Sequence, residues 1–77
     1  MKKIKVEWCE NFIKSLFEDK RCKGIYTGLF WELAEKSGLW ERGTYPSPMS
    51  KALSNLTRVE IISDNDGNYL YTVFKLL

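Results

Sequence analysis

Histidine is absent from the 77 residues. Its absence removes the usual general base near neutral pH, the serine and cysteine triads built around it, and most catalytic zinc sites. Cysteine is scarce. Cys9 and Cys22 stand thirteen positions apart, with no Cys-x-x-Cys pair to hold a metal or carry redox chemistry. The five glycines are scattered at 24, 28, 38, 43 and 67, so there is no phosphate-cradling loop. No apolar run reaches the length of a membrane span. Met1-Lys2-Lys3-Ile4-Lys5 has the basic start of a secretory leader, but Glu7 and Glu10 interrupt the apolar stretch that would have to follow. The expected compartment is the cytoplasm, where a disulfide between the two cysteines is not expected. These absences lead to the expectation of a protein that is not an enzyme and uses no cofactor or metal.

The composition is that of an ordinary globular chain: 44 % hydrophobic and 29 % charged, neither disordered nor collagen-like. Aromatic residues reach 14 %, which gives bulk to a core that must be built from few side chains. With no internal repeat, low-complexity tract or Gly/Pro/Ser-rich linker, residues 1–77 read as one domain. The net charge of +2 is unevenly spread. Residues 1–24 carry seven Lys/Arg against four Asp/Glu, residues 25–60 are balanced, and the last seventeen are slightly acidic.

Hydrophobic spacing divides the chain into three helices followed by a hairpin. Trp8, Cys9, Phe12, Ile13, Leu16 and Phe17 recur at helical spacing, which predicts a helix from about Lys5 to Lys20, stopped by Gly24. A second helix is expected from Thr27, as N-cap, to Lys36 or Ser37; Leu29, Phe30, Leu33 and Ala34 form its inner stripe and Gly38 caps it at positive φ. Ser47 before Pro48 reads as an N-cap followed by proline in the first helical turn, opening a third helix over 47–58. Met49, Ala52, Leu53 and Leu56 face inward there, and Ser50, Lys51, Ser54, Asn55 and Arg58 outward, with no carboxylate before Glu60. From Val59 the period becomes two. Val59–Ser63 and Tyr69–Leu76 predict a hairpin turned by Asp64-Asn65-Asp66-Gly67-Asn68, and residues 24–26 a short strand beside it. That turn lacks the later bidentate Glu of a calcium loop, so it is read as a turn.

Three helices and a two-stranded hairpin resemble the winged helix-turn-helix family. The resemblance covers roughly residues 25–77. Leu33-Ala34-Glu35-Lys36-Ser37-Gly38-Leu39 is similar to that family's second helix and turn. Ser47 to Ile62, SPMSKALSNLTRVEII, is similar to its third helix entering the first wing strand, and Asp66-Gly67-Asn68-Tyr69 to its wing tip. Residues 40–46 make a longer connection than that family's tight turn. The resemblance implies an α+β fold, a three-helix winged helix-turn-helix with a C-terminal β-hairpin wing. It also implies double-stranded DNA as partner, with the third helix in the major groove.

Under that expectation Ser47, Ser50, Lys51, Ser54 and Asn55 face base edges or phosphates, and Arg58, Arg42 and Tyr45 reach the backbone. Lys2, Lys3 and Lys5 form an electrostatic arm. The expected role is a small transcriptional or mobile-element regulator, with a homodimer compensating for the few contacts of one helix. Two features weigh the other way: the charge of +2 is small for neutralising phosphates, and Asp64 and Asp66 sit at the wing tip. The alternative is a protein-interaction module, such as a phage- or plasmid-encoded inhibitor, that docks through Trp31 or Trp40 at the edge of their stripes. Trp8, Phe12, Phe17, Phe30 and Phe74 are expected in the core, Cys9 as a buried thiol and Cys22 as a free thiol near the surface.

Overall fold

The computed structural model describes residues 3–19 and 21–77. They form α1 (Val6–Leu16), β1 (Ile25–Tyr26), α2 (Thr27–Lys36), α3 (Ser47–Leu56), β2 (Thr57–Ser63) and β3 (Tyr69–Leu76). The sheet is antiparallel in the order β1-β3-β2, so the short strand before α2 pairs with the far side of β3. The fold is α+β, with three helices and a three-stranded antiparallel sheet. No helix among the described residues is long and apolar enough to cross a membrane.

Helix α1 is shorter than its apolar stripe suggests. The Phe17 N–H reaches the Ile13 carbonyl at 3.2 Å and the Glu18 N–H the Ser15 carbonyl at 3.3 Å, so the last turn tightens. The Asp19 carboxylate then accepts the Arg21 N–H at 2.9 Å, and the Cys22 N–H bonds the Asp19 carbonyl at 2.8 Å. This side-chain turn satisfies backbone groups that a continuing helix would otherwise hold, and the chain leaves the helix there. Lys20, expected as the last helical residue, lies outside the described residues, as does Lys2 of the expected arm.

Thr27 is not the cap of α2 but its first residue. Tyr26 occupies the cap position, while the Thr27 and Thr72 hydroxyls bond each other at 2.8 Å and tie the start of α2 to β3. The other end matches expectation: Gly38 has φ +75°, the Leu39 N–H bonds Ala34 O at 3.0 Å and the Gly38 N–H bonds Glu35 O at 3.1 Å. That pair of bonds is the Schellman closure, which needs a residue tolerant of positive φ.

Helix α3 differs at both ends from 47–58. The Ser50 N–H bonds the Pro46 carbonyl at 2.8 Å, so the cap position falls on Pro46 and Ser47 is already helical. At the other end Thr57 is extended (φ −134°, ψ 167°), and both its N–H and its hydroxyl, the latter at 2.7 Å, go to the Leu53 carbonyl. The buried, β-branched Thr57 thus ends the helix and starts the strand with no residue between them. Strand β2 therefore begins two residues earlier than Val59, and Arg58 belongs to the sheet.

Phe30 is fully buried at the junction of the layers. Its ring lies 5.8 Å from Phe12, 5.1 Å from Phe74 and 5.4 Å from Trp31. Cys9, Ile13 and Phe17 from α1 and Met49, Ala52 and Leu53 from α3 complete the core with Ile25 and Ala34. Trp8, expected inside, is 37 % exposed with the Lys5 ammonium 5.8 Å from its ring, and Leu29 on the expected inner stripe is also exposed. Cys9 is buried, which raises its thiol pKa, and Cys22 is a half-buried free thiol. Beyond the helices the hairpin runs free, with residues 63–71 all exposed.

Candidate nucleic-acid interface

The outward side of α3 is set by what its inward side must bury. Met49, Ala52 and Leu53 pack beneath the helix, which leaves Ser47, Ser50, Lys51, Ser54 and Asn55 exposed together. Ten helical residues give a rod about 15 Å long. Its sequence SPMSKALSNL contains no carboxylate. Among the described residues no acidic group lies within ion-pair distance of Lys51. Short hydroxyl side chains on either side of one lysine let a helix approach a surface closely, with a cation and an amide available to bond it.

The two arginines expected as phosphate anchors are placed differently. Arg58 lies in β2, and its guanidinium bonds Glu60 at 3.0 Å, two residues along the same face of the strand. Glu60 also takes the Lys75 ammonium at 3.0 Å from β3. Arg42, in the turn between α2 and α3, bonds both Glu35 oxygens at 3.2 Å and lies 6.0 Å from the Trp40 ring. That fork-on-fork arrangement keeps Arg42 facing α2 and pushes its pKa up. Tyr45 is the exposed member of the turn, at 85 %. It stands beside an open groove of about 790 Å³ lined by Leu39, Trp40, Pro46, Ser47 and Pro48.

Trp31 and Trp40 are not the exposed anchors that their positions suggested. They pack edge to face at 5.2 Å, both half-buried against the core, and the Trp40 indole N–H is held by the Thr44 carbonyl at 3.1 Å. The pairing joins residues nine apart through the long turn, which helical periodicity does not register.

At the hairpin tip one of the two acids is committed internally. The Asp64 carboxylate accepts the N–H groups of Asp66 and Asn68, each at 2.9 Å, and the Asn68 side-chain amide at 3.2 Å, while Gly67 turns the chain at φ +83°. The Asn68 N–H is the main cause of its lowered pKa. Glu60 is also held below its ordinary 4.5, first by Lys75 and then by Arg58. Groups depressed in the folded state add stability that is full above their ordinary values and is lost as pH falls through the depressed ones. The melting temperature is therefore expected to hold down to about pH 5 and to decline below it. Glu60→Gln combined with Asp64→Ala should flatten that decline; thermal unfolding followed by circular dichroism from pH 7 to pH 2 checks it.

Comparison with protein-family models, curated proteins and solved structures finds no match to this chain.

Proposed function

We propose that the chain is a winged helix-turn-helix protein that binds double-stranded DNA by placing α3 in the major groove, in the role of a small transcriptional or mobile-element regulator. One observation carries the reading: Ser47, Ser50, Lys51, Ser54 and Asn55 are exposed on a single side of a helix with no carboxylate, and Lys51 is without an ion pair among the described residues. The element order supports it, with two helices leading directly into a protruding hairpin and a short strand on β3. In this reading Lys51 and Asn55 meet base edges or phosphates, the serines serve either, and Tyr45 reaches the backbone. Arg42 and Arg58 act on the duplex only by leaving Glu35 and Glu60, so they contribute less than unpaired cations would. No metal or cofactor takes part.

A second reading, a partner protein held in the groove beside Tyr45, is favoured by the exposure of that ring and the prolines around it. Salt separates the two. Fluorescence anisotropy of a labelled mixed-sequence duplex is expected to show affinity falling steeply with salt, with a log–log slope of about −2 or steeper. Absence of duplex binding at low salt would overturn the DNA reading. Loss of partner capture in Tyr45→Ala or Trp40→Ala, with little salt dependence, would favour the protein interface.

A further inference from the structure

Strand β2 has a partner on one side only. In the order β1-β3-β2 its outer edge has no strand partner among the described residues from Arg58 to Ser63, the Thr57 N–H being taken by the Leu53 carbonyl. Natural edge strands are commonly blunted by charged side chains, proline, a bulge in the strand or a covering loop; the charged residues of β2, Arg58 and Glu60, are paired with each other. Here the extra residue that breaks the register near the tip lies in β3, between Tyr69 and Tyr71, and β2 runs regularly. Val59 and Ile61 stand on its core-side face, opposite Phe74 and Thr72. Yet they are 56 % and 64 % exposed. On the other face Arg58 and Glu60 alternate with them.

We infer that β2 pairs antiparallel with β2 of a second copy of this chain, joining two three-stranded sheets into one of six. Charge pairing within the strand favours one register. Pairings that keep the two apolar faces together are centred on a residue. Centring on Glu60 sets that carboxylate against its own copy, and centring on Arg58 does the same for the guanidinium. Centring on Val59 places Arg58 opposite the partner's Glu60 and, by symmetry, Glu60 opposite the partner's Arg58. Val59 then covers the partner's Val59, and Ile61 lies beside the partner's Thr57. The contact is isologous and closes on itself. The opposite edge, β1, is only two residues long and offers no second pairing from which a filament could grow. This inference is independent of the DNA reading and is tested without nucleic acid.

Sedimentation equilibrium of the full chain is expected to give about 18 kDa, twice the 9.0 kDa of one copy, with dissociation on dilution. Val59→Lys should be monomeric and still melt cooperatively, at a temperature that no longer depends on protein concentration. Register is read by cross-linking in a Cys22→Ser background, where the remaining native thiol, Cys9, is buried. Val59→Cys should oxidise to a covalent dimer, since directly opposed Cα atoms about 4.5–5.5 Å apart suit a disulfide. Ile61→Cys should not, its own copy lying about 13 Å along the strand. Reversing both charges (Arg58→Glu with Glu60→Arg) should give a protein that pairs with itself and not with the unaltered chain. A monomeric unaltered chain, a dimer that survives Val59→Lys, or cross-linking through residue 61 in place of 59 would each overturn the inference.

Discussion

Phe30→Ala is expected to lower the melting temperature by at least about 15 °C, or to leave no cooperative transition at all. The size follows from position. Phe30 has no exposed surface, and three aromatic rings, Phe12, Trp31 and Phe74, lie within 6 Å of its centre. Those rings come from α1, α2 and β3, so their shared neighbour links the helices to the sheet. Truncating such a phenylalanine costs about 3–5 kcal/mol through lost burial and the cavity left behind. A chain of this length is stable by about 4–12 kcal/mol in total, so the loss takes a large share. Phe30→Leu keeps most of the volume and should cost a fraction of that. Trp8→Ala, at a site 37 % exposed, should cost far less than the size of the side chain suggests. Thermal melts of the three variants order them directly; Phe30→Ala melting within a few degrees of the unaltered chain would move the centre of the core elsewhere.

The elements best legible in the sequence are those whose signals are local. Gly38 at positive φ, the apolar stripe beneath α3 and the turn built on Asp64 and Gly67 each depend on residues within one or two turns of chain. The errors fall where a side chain bonds the backbone or where distant residues meet. Asp19 ends α1 early by capturing the Arg21 N–H, although the apolar spacing continues to Phe17. Thr57 turns helix into strand by spending its hydroxyl on Leu53 O, and that two-residue shift decides the role of Arg58. Read as the end of a helix, Arg58 belongs to a cationic face; as the second residue of a strand it shares a face with Glu60 and is neutralised by it. The meeting of Arg42 with Glu35, seven positions apart across a turn, and that of Trp31 with Trp40 depend on how the long connection folds back. The polar side of α3 was legible because a ten-residue amphipathic helix has only one way to bury Met49, Ala52 and Leu53.

Lys51→Glu is expected to abolish detectable duplex binding under conditions where the unaltered chain is half-saturated, and to leave the melt unchanged. The side chain is exposed, so nothing in the core depends on it. Its reversal takes the net charge from +2 to zero and puts an anion at the middle of the one helix side that lacks any. Lys51→Ala separates two ways in which the ammonium could act. If it neutralises a phosphate, affinity drops for every sequence alike and the log–log salt slope becomes shallower by about 0.9. If it bonds a base edge, preference at one position relaxes by about 1–3 kcal/mol. Arg58→Ala and Arg42→Ala provide the contrast. Each removes a cation already balanced by Glu60 or Glu35, so each should weaken binding less than Lys51→Ala. Should the two arginine variants lose binding while Lys51→Ala keeps it, the duplex would lie against the turn and the sheet, and α3 would face solvent in the complex.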